Sequence, residues 1–340
     1  MLLADVGLAE LHTHLGGSVA SDIMWSLAHE QGIALPVKDY WEFDALVTVS
    51  DPRGVENLDA LDAIYHWTEL IQSSPLAVER SVHAAIGGAY RSQRITTLEL
   101  RFNPMKRNRG GERDLDHIIL AAIRGLDLAK LEYPQVRAGL ILMMDRTFDR
   151  RQNEVIVEKA MRWASRGVVG VDIAGPRPGG RRYDYTAIAP MVETARAAGL
   201  GVTIHVGEEG GAVGREELGE VLEHLRPDRI GHGILAAGDP ELEGMLREQG
   251  VVLEICPTSN LLTKALPDEA AVRDTFRAFA EAGVAFTIAT DGPEMMRTHL
   301  RDELELLLRI GALDEDELAE ANVRGHAASF IGRRAAIGAR

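Results

Sequence analysis

Leu8-Ala9-Glu10-Leu11-His12-Thr13-His14-Leu15-Gly16-Gly17 is a short, largely apolar run that ends in two histidines and a pair of glycines. Side chains at i and i+2 of a β-strand share a face, so His12 and His14 emerge together where the strand gives way to loop. The pattern of a buried strand with polar residues at its carboxyl end recurs along the chain. Further runs are Thr96 to Phe102, Val136 to Met143, Val168 to Ile173, Gly201 to Val206, Arg229 to Gly231, Val251 to Ile255 and Val284 to Ala289. Helix-length segments separate them, among them Ala160 to Arg166, Met191 to Ala198 and Asp274 to Ala282. Eight strands alternating with helices predict an α/β fold, a (β/α)8 TIM barrel with a parallel sheet.

The 340 residues are expected to form one domain, 1–340, with a helical insertion over 18–94. That insertion carries three of the four tryptophans, and Ser21-Asp22 offers a helix cap, so helices over the barrel mouth are expected. Closing helices follow Asp302, and Ile337-Gly338-Ala339-Arg340 reads as a frayed end. A 46% hydrophobic, 26% charged composition with no long apolar run excludes a membrane span. A formal charge of −15 argues against a nucleic-acid partner, since phosphate neutralisation needs a basic face. Met1-Leu2-Leu3-Ala4-Asp5 lacks the features of a secretory signal, which points to the cytoplasm. Cys256 stands alone, so a metal site would be built from His and carboxylate rather than from a cysteine framework.

Placed on this strand map, polar residues collect at strand carboxyl ends, where barrel enzymes build their sites. His12 and His14 end the first strand, Arg101 and Asn103 the second, Asp145 the third, and Asp172 and Gly175 the fourth. His205 and Glu208 end the fifth, His232 the sixth, Cys256-Pro257-Thr258-Ser259-Asn260 the seventh, and Asp291 the eighth. Taken singly each has a bland reading: His232 as a turn histidine, Glu208 as half of a solvated Glu208-Glu209 pair, Asp291 as a turn aspartate before Gly292-Pro293. Their joint placement at strand ends favours a shared site.

The chain resembles the adenosine deaminases of the metal-dependent amidohydrolase group. The resemblance rests on His12-Thr13-His14-Leu15-x-Gly17, Ile204-His205-Val206-Gly207-Glu208, Arg229-Ile230-Gly231-His232-Gly233, Cys256-Pro257-Thr258-Ser259-Asn260 and Thr290-Asp291-x-Pro293. It implies that His12, His14, His205 and Asp291 hold one Zn(2+) per chain, and that Glu208 and His232 act on substrate and water. Imidazoles with a carboxylate suit zinc, which lowers the pKa of a water towards about 7. Glu208 is placed to deliver a proton to a ring nitrogen, and His232 to act as base or electrostatic stabiliser. Two-metal relatives carry a lysine at the end of the fourth strand; Val168 to Gly175 contains none, so one metal is expected. The single cysteine excludes the cysteine-based nucleobase deaminases. Gly210-Gly211-Ala212-Val213-Gly214 lacks phosphate-loop spacing and reads as a flexible loop.

Two departures from the family pattern bear on substrate. Gly16 stands where the family has an acidic residue that meets the ribose, and Gly292 where it has a second carboxyl that meets a purine ring nitrogen. Gly16 is therefore expected to open room at the ribose 5′ end, with Gly175 presenting its amide to a ring nitrogen. Arg177, Arg181 and Arg182, or Lys106, Arg107 and Arg109, would meet an anionic substituent. The expected activity is hydrolytic deamination of a 6-aminopurine nucleoside, with aminodeoxyfutalosine the favoured small-molecule substrate. Ordinary adenosine or adenine, another C–N bond, and a metal-binding barrel without catalysis are the alternatives. The last leaves Glu208 and His232 without a purpose.

Overall fold

In the computed structural model, residues 5–49, 51, 54–55, 58–109, 111, 114–177 and 181–332 are described. Eight parallel strands pair in chain order: β1 (Leu8–His14), β2 (Ile95–Phe102), β3 (Arg137–Asp145), β4 (Val168–Ala174), β5 (Gly201–Val206), β6 (Arg229–His232), β7 (Val252–Ile255) and β8 (Ala285–Ile288). Closure runs through the residues just beyond β8, where Thr13 bridges Asp291. His14 N donates to the Asp291 carbonyl at 2.7 Å, and Asp291 N donates to the His12 carbonyl at 2.9 Å. The expected barrel is the observed one, and the seam that closes it is part of the site.

Between β1 and β2 lie α1 (Ser21–Glu30), α2 (Tyr40–Val47), α3 (Leu58–Ile71) and α4 (Pro75–Gln93). Only part of this insertion covers the mouth: α3 lies against the turn Leu15–Gly17, whereas α4 packs on β2 and on α5 (Leu115–Glu132) in the outer helical ring. The predicted Ser21-Asp22 cap is not formed. Ala20 is the N-cap of α1, and the Ser21 hydroxyl instead donates to Asp44 at 2.7 Å. The ring continues through α6 (Arg150–Trp163), α7 (Ala189–Ala197), α8 (Gly211–Glu220), α9 (Pro240–Gln249), α10 (Pro257–Leu262), α11 (Glu269–Ala282), α12 (Pro293–Met296), α13 (Leu300–Arg309) and α14 (Glu315–Ala328). Capping boxes at Asp149/Gln152 and Asp314/Glu317 start α6 and α14, pairing first-turn amides that would otherwise lack partners. The Gly210–Gly214 stretch is not the expected flexible loop: Gly210 is the left-handed N-cap of α8, and Gly211 begins the helix. Ile337–Arg340 lies outside the described residues, and no described helix is long and apolar enough to cross a membrane.

The barrel interior contains a fully buried ladder of charges. Arg101 donates to Asp172 at 2.9 Å and to Glu254 at 2.7 Å; Arg229 donates to Glu254 at 2.6 Å and to Glu99 at 2.5 Å. Glu99 in turn accepts from the Ser329 hydroxyl at 2.7 Å, which fixes the end of α14 beneath the barrel. Buried charges persist only when paired and hydrogen-bonded, and removing one partner costs about 3–5 kcal/mol. This ladder sets the floor on which the site stands.

Candidate active site

A cleft open to solvent sits at the strand carboxyl ends and is lined by His14, His205, Glu208, His232 and Asp291. His12 lies just beneath, fully buried, with its Nε2 unpartnered. The six residues that the sequence singled out as metal ligands and catalytic groups thus come together. The nitrogens of His12, His14 and His205 lie within 4.8 Å of one another, and His14 Nε2 is 3.1 Å from His205 Nε2. Asp291 Oδ1 lies 3.3 Å from His14 Nε2 and 3.9 Å from His12 Nε2.

The ring tautomers follow from the floor. His12 Nδ1 donates to Glu254 at 2.8 Å, and His205 Nδ1 donates to Asp172 at 3.1 Å. Each Nε2 is thereby left with its lone pair towards the shared point. Burial, reinforced by neighbouring cations and imidazoles, holds His12, His14 and His205 well below the usual histidine range, so they stay neutral. Three neutral imidazoles and a carboxylate at these spacings fit one borderline cation such as zinc, with ligands about 2.0–2.2 Å away. His12, His232 and Cys256 form a second close group, but burial pushes the Cys256 thiol far up and keeps it protonated.

Glycines make the cluster possible. A Cβ on Gly231 would stand 2.8 Å from His12 Cε1 and 3.2 Å from His205 Cγ, so the absent side chain is the room two rings occupy. His232 and Asp291 hold left-handed backbone conformations, with φ of 63° and 66°, which non-glycine residues adopt at a cost that surrounding hydrogen bonds must offset. For Asp291 these are the two seam bonds to β1. Its carboxylate also accepts from the Ser259 hydroxyl at 2.6 Å.

Glu208 Oε2 lies 3.6 Å from His232 Nε2 on the cleft wall. Burial, then the charge of Glu209, pushes the Glu208 carboxyl up to about 7. A large share of Glu208 therefore still carries at neutral pH a proton that an unburied glutamate would have lost. As the Asn260 amide is oriented here, its Nδ2 donates to His232 Nδ1 at 3.0 Å. That leaves the His232 proton on Nε2, aimed at the space between Glu208 and Asp291. Burial lowers the His232 pKa, so it is neutral.

The substrate-side expectations fare differently. Gly175 does line the cleft; its φ of 91° and its approach to the Asp145 carboxylate, 2.8 Å from a would-be Cβ, require glycine. Gly16 opens no room: a Cβ there would meet the Tyr65 ring at 2.9 Å and Thr68 Oγ1 at 3.0 Å. Gly292 likewise lies behind Tyr65, 3.2 Å from the Tyr65 hydroxyl measured from its would-be Cβ. Arg177 is drawn away from the cleft, donating to Glu217 at 2.6 Å and to the Glu209 carbonyl at 2.9 Å. Arg107 is buried on Glu69 and Gln72, Arg182 pairs with Glu220, and Arg109 with His66. Of the cations named from the sequence, Lys106 lines the cleft, 2.8 Å from Asp145 Oδ2. Asn103 is a local cap, accepting from Met105 N and Lys106 N. Sequence reasoning missed the roles of Glu254, Ser259, Asn260 and Tyr65. A carboxylate inside the apolar strand Val252–Ile255 was the available signal for the first.

Comparison with known proteins places this geometry. The sequence profile of the family described as adenosine deaminase matches residues 7–337. An aminodeoxyfutalosine deaminase of Acidothermus cellulolyticus is 33% identical, over 93% of this chain and 86% of that protein. An adenosine deaminase of Vibrio vulnificus is 28% identical, over 92% of this chain and 91% of its own. Among solved structures, a zinc-bound amidohydrolase from Burkholderia ambifaria superposes with a TM-score of 0.84 at 22% identity, covering 98% of this chain and 89% of the other.

Proposed function

Because the chain belongs to the adenosine deaminase family, and is a hydrolytic deaminase of purines, we propose that it removes the 6-amino group of a purine nucleoside at a single zinc ion. His12, His14, His205 and Asp291 hold the ion. The observation that carries this is the convergence of ring nitrogens of His12, His14 and His205 beside the Asp291 carboxylate, with the His12 and His205 orientations backed by the buried acceptors Glu254 and Asp172. Zinc bound there supplies the Lewis acidity that makes water nucleophilic near neutral pH.

Glu208 donates its proton to the ring nitrogen next to the amino-bearing carbon, drawing electrons from that carbon as water attacks. His232, with Nε2–H facing the same space, stabilises negative charge on the incoming oxygen. Lys106 supports a substrate with an anionic group at its ribose end: of the two cations lining the cleft among the described residues, Arg146 is committed to the Gly175 and His205 carbonyls, whereas Lys106 is partly exposed and pairs with Asp145. Aminodeoxyfutalosine meets that description, and the 33% identical relative carries that name. Adenosine remains the second reading, supported by the Vibrio relative.

Ammonia release from aminodeoxyfutalosine, adenosine and adenine by zinc-loaded protein tests the proposal. Aminodeoxyfutalosine is expected to give the highest kcat/KM. A large preference for adenosine removes the 5′-extension reading, and no ammonia from any of the three removes the deaminase reading.

A further inference from the structure

The polar groups around the cleft are mostly matched within the protein, with Lys106 on Asp145, Asp291 on Ser259 and His232 on Asn260. Among the described residues, Arg146 leaves only its Nε unpaired while its other nitrogens donate to the Gly175 and His205 carbonyls, but the Tyr65 side chain has its sole polar atom, the hydroxyl, unpaired. It is buried, and among the described residues it has no hydrogen-bond partner, although its residue lines the cleft. A buried hydroxyl left unpaired carries a desolvation cost that only a partner offsets, so this one is built for a group that arrives from outside.

Its position is specified from three sides. Helix α3 brings the ring down on the loops after β1 and β8, where Gly16, Gly17 and Gly292 form a slot. A Cβ at Gly16 would touch the ring at 2.9 Å; Cβ atoms at Gly17 and Gly292 would stand 3.3 and 3.2 Å from the hydroxyl oxygen. The ring meets His14 edge-on with centroids 5.8 Å apart. The hydroxyl therefore sits on the His14–Asp291 flank of the donor cluster, whereas Glu208 stands on the His232 flank at 3.6 Å. A 6-aminopurine presents an acceptor on each side of its reacting carbon: N1 on one side and, across the amino group, N7. With Glu208 serving N1, the group at the other flank faces N7.

We propose that Tyr65 is a specificity-determining residue whose hydroxyl, seated in the slot of Gly16, Gly17 and Gly292, donates a hydrogen bond to N7 of the bound purine. This rests on the functional reading above. It assigns the insertion a second task besides covering the mouth, namely supplying the donor that distinguishes a purine from a ring lacking nitrogen at that position. Sites built to hydrogen-bond a substrate atom reject analogues that lack it, because the protein group is then left unpaired.

The test compares wild type with Tyr65→Phe, which keeps the ring in its slot. Inosine and 7-deazainosine, which differ only by CH in place of N7, serve as unreactive competitive inhibitors of the zinc-loaded enzyme. Wild type is expected to bind inosine about 10- to 100-fold more tightly than 7-deazainosine, and Tyr65→Phe to bind both equally, at the weaker level. Its kcat/KM for the purine substrate falls by the same factor while zinc content stays unchanged and the Tm of the substrate-free protein is not lowered, since an unpaired buried hydroxyl is removed. Equal weakening of both inhibitors with the preference intact shows a packing role and overturns the assignment, as does unaltered inosine binding. Failure of the functional reading shows separately, as wild type that releases no ammonia from any 6-aminopurine.

Discussion

The two halves of the site are built on different terms. On the barrel side, His12, His205, His232 and Asp291 each have a named partner in Glu254, Asp172, Asn260 and Ser259 respectively. On the cover side, helix α3 contributes Leu61, Asp62, Tyr65 and Glu69 to the cleft, and the Tyr65 hydroxyl is left unpaired. The barrel half is complete without substrate, and the cover half becomes complete with it. A reactive centre that must hold a metal needs orientation fixed in advance, whereas a wall that reads substrate needs unsatisfied groups.

That contrast breaks most visibly at Glu208. Glu208→Gln retains shape and loses the proton, so kcat is expected to fall about 10²- to 10⁴-fold with zinc retained. The pH dependence carries the sign. A carboxyl raised to about 7 by burial holds its proton below that value, so wild-type kcat/KM declines as pH rises through about 7. The residual activity of the glutamine variant should lack that decline. Unchanged turnover by Glu208→Gln removes the residue from the reaction.

A smaller effect is expected one layer down. Glu254→Gln weakens the acceptor of His12 and removes the charge shared by Arg101 and Arg229, which keep Asp172 and Glu99, and should reduce zinc affinity about 10- to 100-fold while lowering stability by about 3–5 kcal/mol. Gly231→Ala separates these two effects, because its methyl presses on the rings of His12 and His205 without touching the charge ladder. It should cost zinc affinity with a smaller loss of Tm, as competition with a chelator and thermal denaturation would show. Equal zinc affinity in Gly231→Ala and wild type would mean the rings are free to shift. Least of all, Lys106→Ala should change kcat/KM a few-fold, on aminodeoxyfutalosine alone and less at high salt, since the Lys106 ammonium stays partly solvated on the cleft wall and its charge is screened there.

The same division governs what could be read from the sequence. Strand alternation is local, so all eight strands were legible, β5 to its boundaries and the others within a few residues. That His12, His14, His205, Glu208, His232 and Asp291 would gather at one rim was legible too, because strand order carries each carboxyl end there, whereas their division into ligands and catalytic groups came from the family resemblance. What escaped depends on contacts between distant segments. Gly16 looked like open space until α3 laid Tyr65 across it, and Arg177 looked available until Glu217 claimed it. Ser21 read as a cap, yet a tertiary partner in Asp44 outbid the local amides. Glu254 and Arg101 were visible as charges inside buried strands, but nothing local says which histidine such a charge orients.

The central claim is that three imidazoles and Asp291 gather one zinc ion. X-ray absorption on the zinc-loaded protein, together with metal analysis, tests it most directly. The account predicts one zinc per chain surrounded by nitrogen and oxygen only, reduced in affinity in His205→Ala. A zinc–sulfur distance of about 2.3 Å, marking capture by Cys256, or protein that retains no zinc at all, would contradict it.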